Sequence, residues 1–180
     1  MAKGQLDGKR VAFLVANEGI EQVELTRPWS AVVDAGGEPE LIAPTAGQAQ
    51  AFNHLDRADA FDVDAVTAEA DPGRYDAVVL PGGVANPDQL RQDDDAVEFV
   101  RAFFEQDKPV AVICHGPWTL VEAGVLPGRT VTSWPSLHTD LENAGATWVD
   151  REVVVDGNLI TSRKPDDLDA FCEALIAAVE

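Results

Sequence analysis

The sequence predicts an α/β protein: a single-domain, three-layer α/β/α sandwich over residues 1–180, built on a mostly parallel sheet. Three observations carry that prediction. Short runs rich in Val, Ile and Leu alternate along the chain with segments of helical periodicity. The runs are continuously apolar rather than alternating, as expected of strands covered on both faces by helices. No repeat, low-complexity stretch or linker divides the 180 residues, a length that buries one full core.

KRVAFLVA (9–16) crowds Val11, Phe13, Leu14 and Val15 together and reads as a buried strand. QVELTRPWSAVVDAGG (22–37) reads as a helix with Val23, Leu25, Trp29, Val32 and Val33 apolar, stopped by Gly36-Gly37. EPELIAP (38–44) is the second strand. Residues 45–75 suggest a small hairpin around AQAFNHL and VDAVT. DAVVLPGG (76–83) is a buried strand that ends in a Pro-Gly-Gly turn. Asp93 to Gln106 is helical, with Val97, Val100, Phe103 and Phe104 inward. PVAVIC (109–114) is the next strand, and Pro117 to Ala123 opens the next helix. A short TVTS strand, a helix over about 136–144 and a hairpin REVVVDGNLITS around Asp156-Gly157 follow. The helix DDLDAFCEALIAAVE closes the chain.

Composition excludes several classes of function. The chain carries 32 Asp+Glu against 13 Lys+Arg, a net charge of −19. Such a surface repels phosphate backbones, so direct nucleic-acid binding is not expected. No apolar run reaches the roughly 18 residues of a membrane span. The start, MAKGQLDGKR, shows no apolar leader core. Two cysteines, Cys114 and Cys172, are too few for a disulfide scaffold and point to a reducing compartment, with the cytoplasm as default. Three histidines and no Cys pair make zinc improbable, and no cofactor is expected.

In a parallel α/β sheet, sites form outside the carboxyl ends of the strands. The first exit offers Asn17-Glu18-Gly19-Ile20-Glu21, the third Pro81-Gly82-Gly83, and the fourth Cys114-His115-Gly116-Pro117. A thiol on a sharp strand-to-helix turn is held exposed, as in a nucleophile elbow. Pro117 suits a first helical position, and the helix start favours thiolate over thiol. Backbone N–H groups near His115 and Gly83 would form an oxyanion hole. Glu21, where loop meets helix, is expected to reach Cys114, whereas Glu18 and Glu24 read as solvated glutamates. Cys172 reads as core, and His54 and His138 as surface or loop residues.

Beyond these residues, ANEGIEQVEL, DAVVLPGG, NPDQLR, KPVAVICHGPW, AGVLPGRTVTSWPSL and GATWVDREVVVDGNLITSRKPDDL occur in one order over about 9–178. Together they resemble the PfpI family, intracellular cysteine peptidases and deglycases of the class I glutamine amidotransferase-like superfamily, which also contains the Parkinson's-disease-associated deglycase. The resemblance implies a flavodoxin-like sheet, Cys114 as nucleophile, Glu21 as its carboxyl partner and His115 as the neighbouring imidazole. It implies that Trp134 walls the pocket and that the chain forms a homodimer or larger homo-oligomer. In peptidase-like members an acid from an adjacent subunit completes a triad with the histidine; the matching position is Asp88, where the family often carries glutamate. The separate late His and Glu of amidotransferases are absent, which disfavours a glutaminase.

Three functions follow as expectations. The first is a stress-response enzyme acting on reactive aldehydes or glycated amines, of glyoxalase III or deglycase type. The second is an intracellular cysteine peptidase acting on peptides through Cys114, His115 and a neighbour's Asp88. The third is a non-catalytic redox sensor or chaperone working through oxidation of Cys114.

Overall fold

Along the first strand, β1 (Arg10–Leu14), successive side chains pass to opposite sides of the sheet, and both sides are buried. Val11 and Phe13 enter one core, and Ala12 and Leu14 enter the other. This double burial is the physical content of the crowded apolar run. The computed structural model describes residues 4–180, so the leader reading rests in part on residues 1–3, outside the described range.

The chain continues through β2 (Glu18–Glu21), α1 (Gln22–Asp34), β3 (Glu38–Ala43), β4 (Gln48–Asn53), β5 (Asp56–Asp62), β6 (Ala65–Val66) and β7 (Ala77–Leu80). Then come α2 (Ala85–Leu90), α3 (Asp94–Glu105), β8 (Val110–Ile113), α4 (Pro117–Ala123), β9 (Thr130–Val131) and α5 (His138–Asn143). The last elements are β10 (Thr147–Trp148), β11 (Val153–Asp156), β12 (Leu159–Ser162) and α6 (Leu168–Val179). The main sheet has the order β11-β12-β8-β7-β1-β3-β6. Only the β11–β12 pair is antiparallel. Its five central strands, β3-β1-β7-β8-β12, follow the doubly wound order 2-1-3-4-5 of flavodoxin-like folds. That order reverses between β1 and β7, where a crevice opens at the strand ends.

Helices cover both faces, giving the three layers. On one side α1 and α6 contribute Leu25, Val32, Phe171 and Leu175 to a core that also holds Val79 and Ile113. On the other, α3, α4 and α5 contribute Phe99, Phe103, Leu120 and Leu141, packed on Leu80 and Val112. Cys172 lies in the first of these helical layers, 1% exposed. No helix among the described residues is long and apolar enough to cross a membrane.

Three stretches depart from the sequence reading. The hairpin in 45–75 exists, but its second arm is β5, with the sequence DRADAFD, while VDAVT supplies β6 at the sheet edge. Both faces of β5 are largely exposed, so it carries no apolar alternation to read. Glu18–Glu21, expected as loop, pairs in parallel with β4 and builds a separate three-stranded sheet with the hairpin. TVTS shrinks to β9, which leaves the main sheet and pairs with β10.

Candidate active site at the strand exits

Cys114 follows β8 directly and has φ of 63°, the left-handed region that a side chain with Cβ occupies only under constraint. The constraint is visible. Its N–H donates to the Ser162 carbonyl at 3.1 Å, and its carbonyl accepts from the Trp134 N–H at 2.9 Å. Gly116 is required two residues on, since a Cβ there would lie 2.7 Å from Val112 Cγ1 and 2.9 Å from the Leu80 carbonyl. Pro117 then opens α4. The expected elbow is therefore built at the carboxyl end of β8, but Cys114 is 6% exposed rather than open, and burial favours thiol over the expected thiolate.

Two backbone amides, from Gly83 and His115, face the Cys114 sulfur and favour its ionised form. Gly83 takes φ of +81° and Gly82 gives the turn no side chain, so the Pro-Gly-Gly backbone can pass close to Cys114. Asn86, fully buried and unremarked in the sequence, fastens this turn. Its Nδ2 donates to the carbonyls of Pro81 and Gly82 at 3.0 Å each, and its Oδ1 accepts from the Ala16 N–H at 2.7 Å. The end of β1 and the exit of β7 are thus held at one distance.

The carboxyl at the thiol is that of Glu24, and this corrects the expectation for both glutamates. Glu24 is 0% exposed; its Oε2 accepts from the Gly82 N–H at 2.9 Å and its carboxyl faces Cys114. Its Oε1 is buried with no other partner. Glu21, the last residue of β2, turns instead to the hairpin tip, where Oε2 accepts from the His54 N–H at 3.1 Å. The physical reason is helical phase. Glu24 belongs to the inward stripe of α1 with Leu25, Pro28, Ala31 and Val32, whereas Glu21 precedes the first turn. A glutamate on the apolar stripe of a helix was the available signal, because carboxylates are almost never buried without a role or partner.

Burial pushes the Glu24 carboxyl up to about 8, against the opposing hydrogen bonds from Cys114 and Gly82. Burial also pushes the Cys114 thiol up, with the Glu24 charge adding to it and the amides of Gly83 and His115 working against it. At neutral pH the carboxyl is therefore largely protonated. The thiol S–H donates to this carboxyl, a contact that lowers the acid and raises the thiol, so whenever Glu24 ionises it is the neighbour placed to take the thiol proton.

His115 Nδ1 lies 3.2 Å from Cys114 Sγ. Its ring stacks on Trp134 at 5.8 Å and 23°, and tilts against Trp118 at 5.3 Å. Burial pushes the imidazole down to about 4, so it is neutral at pH 7. Trp134 lines the same pocket. Asp88, on α2, accepts from Arg91 Nη2 at 2.6 Å, and that guanidinium lies over Trp118 at 5.1 Å. Within one chain Asp88 is thus paired with Arg91.

These groups open into a cleft of about 640 Å³ that reaches from Cys114 to the hairpin tip at His54 and Leu55. Its tolerance for added atoms at the turn is low. In Gly82→Ala the new Cβ would lie 2.5 Å from Glu24 Oε2, 2.7 Å from Cys114 Cβ and 3.0 Å from the His115 nitrogen. We expect this variant to fold about 1–3 kcal/mol less stably. It should also turn over ten- to a hundredfold more slowly, as thermal melting and steady-state rates would show.

Comparison with known proteins places this geometry. The model of the DJ-1/PfpI family matches residues 9–178. Deglycase PfpI of Pyrococcus furiosus is 42% identical over 167 residues, covering 93% of this chain and 97% of its own. YraA of Bacillus subtilis, named as a candidate cysteine protease, is 41% identical over 163 residues, covering 91% of this chain and 94% of its own. Among solved structures, a two-domain Anabaena variabilis protein with DJ-1/ThiJ/PfpI-like and ferritin-like domains superposes with a TM-score of 0.89 at 36% identity. That match covers 94% of this chain but 47% of the longer one. Drosophila melanogaster DJ-1beta superposes with a TM-score of 0.84 at 27% identity, over 96% of this chain and 91% of its own.

Proposed function

The chain belongs to the DJ-1/PfpI family, and on that footing we propose that it is a cysteine-dependent enzyme converting reactive 2-oxoaldehydes, or their adducts on amines, into hydroxy acids. The observation that carries this reading is the pairing of a strained thiol with a buried, protonatable carboxyl, beside two backbone amides.

In this reading the sulfur of Cys114 attacks the aldehyde carbon of methylglyoxal as its S–H proton passes to the ionised fraction of Glu24, and a hemithioacetal forms. The amides of Gly83 and His115 are the donors for the oxygen that takes the charge. Glu24 supplies the proton to that oxygen and, now ionised, removes the hydrogen left on the attacked carbon. Returning that proton to the neighbouring carbon through an enediol oxidises the first carbon and reduces the second. The result is a lactate thioester on Cys114. Water splits it and restores the thiol, so methylglyoxal plus one water gives lactate and a proton. On a glycated amine the amine leaves as the sulfur takes its place, and the later steps are the same. Glu24 suits proton transfer near neutrality because its pKa of about 8 lies close to the working pH, whereas His115 at about 4 is a weak base. His115 acts instead by holding the sulfur through Nδ1.

A peptidase is the second reading, favoured by the likeness to YraA and by the half-exposed Asp88. Both cysteines are free, which supports a reducing compartment such as the cytoplasm. Incubating pure protein with methylglyoxal and, separately, with an unfolded peptide should yield lactate without cleavage. Cleavage without lactate would reverse the order of the two readings. If a neighbour's Asp88 serves His115, Asp88→Ala should lower cleavage while sparing lactate formation. Light scattering at the monomer mass of 19.3 kDa would rule out that assembled triad.

A further inference from the structure

The cleft over Cys114 has a charge as well as a shape. Glu18, Glu21 and Glu24 line it, and no Lys or Arg does among the described residues. The nearby cations are engaged elsewhere: Arg91 with Asp88, Lys164 with Asp166, and Arg163 with Asp150 and Asp167. Glu21 is mostly enclosed, with 12% of its side chain exposed, and its partners are the His54 amide and imidazole rather than a fixed cation. The Oε1 of Glu24, buried and unpartnered, stands at the floor. Apart from His54, Gln89, Cys114 and His115, the rest of the wall is apolar. Leu55 at the hairpin tip is 95% exposed, Val84 58% and Trp134 38%, three large side chains around one opening on a chain of charge −19.

We propose that this cleft selects uncharged or cationic carbonyl compounds bearing an apolar group and rejects anionic ones, with Glu18 and Glu21 as the residues that set the selection. The inference rests on the aldehyde reading above and narrows its substrate class. An anion approaching Cys114 meets two carboxylates with no compensating cation, in a cleft whose apolar walls weaken screening by water. A neutral aryl or alkyl group meets Leu55, Val84 and Trp134. The same field favours departure of the product, because turnover converts a neutral aldehyde into a carboxylate at the place where Glu18 and Glu21 repel it.

Two measurements test this separately from the reaction itself. The first compares kcat/KM for phenylglyoxal with that for 4-carboxyphenylglyoxal, identical but for the charge. A preference of at least tenfold for the neutral compound is expected, shrinking in the Glu18→Gln/Glu21→Gln double variant. Turnover of neither compound would defeat the aldehyde reading and leave the second measurement to decide the selection. That measurement alkylates Cys114 with iodoacetamide and with iodoacetate and refers the rate ratio to glutathione. The ratio at Cys114 should exceed that of glutathione at least tenfold in wild type and fall towards it in the double variant. It should also fall in 1 M salt, where the screening length is about 3 Å. Glutamine keeps an acceptor for the His54 amide, so the hairpin stays fastened. A wild-type ratio equal to that of glutathione, or one unchanged by the double substitution, would overturn the proposal.

Discussion

Cys114→Ala is expected to lose turnover by about a thousandfold or more while keeping nearly the wild-type melting temperature. The size of the loss follows from the role: with no sulfur there is no covalent intermediate, and removing a nucleophile costs about as much as removing the whole catalytic group. The small change in stability follows from the backbone. Alanine at φ of 63° bears the same strain as cysteine, and both anchoring hydrogen bonds, to Ser162 and from Trp134, are main-chain bonds that survive. What disappears is one small buried group, a cost of about 1 kcal/mol. Cys114→Gly provides the control, since glycine takes positive φ freely and should recover about 1 kcal/mol relative to alanine with no recovery of activity. Turnover of either variant at the wild-type rate would remove Cys114 from the mechanism.

Glu24→Gln is expected to slow turnover about a hundredfold or more, within the range for losing a positioned acid–base group. It should also change how stability depends on pH. The folded pKa of Glu24, about 8, lies above the ordinary 4.5, so between these values the folded protein holds a proton that the unfolded chain has lost. Its stabilisation is complete below 4.5 and is lost as pH rises towards 8. His115 runs the other way: folded near 4 against an ordinary 6.5, it lacks a proton the unfolded chain binds, and stability rises across that window. The two oppose each other up to 6.5, and above it Glu24 acts alone. Wild type should therefore lose about 2 kcal/mol between pH 6.5 and 8, at roughly 1.4 kcal/mol per pH unit for one proton. Glu24→Gln keeps an acceptor for the Gly82 amide and a weaker donor for the sulfur, and its stability should be flatter over the same interval. Parallel denaturant titrations of the two proteins at several pH values give the comparison. Equal slopes would mean that Glu24 is already ionised in the folded protein.

The fold was legible in the sequence because its strands are buried on both sides, so β1, β7 and β8 declare themselves as apolar runs. The thiol, the glycine turn and the stacking tryptophan were legible because they sit at strand exits or in contiguous motifs. What stayed hidden depended on direction or on polar strands. Which of Glu21 and Glu24 faces the sulfur is a matter of one helical turn, and reading α1 by its apolar stripe places Glu24 inside. Asn86 lies in a six-residue helix too short to show periodicity, and its role appears only when β1 and β7 are seen side by side. The arm β5 has no apolar face to betray it.

The assignment of Glu24 to the thiol is tested by the pH dependence of Cys114 alkylation with iodoacetamide, located by peptide mass spectrometry, in wild type, Glu24→Gln and Glu21→Gln. Glu24 and Cys114 share their protons, and the first leaves the pair near pH 8, so the wild-type rate should climb through that value. In Glu24→Gln the buried thiol must ionise without a proton-sharing partner, and the inflection should move up by at least one pH unit, while Glu21→Gln should stay within about half a unit of wild type. Coincident profiles for wild type and Glu24→Gln, or a shift produced by Glu21→Gln instead, would contradict it.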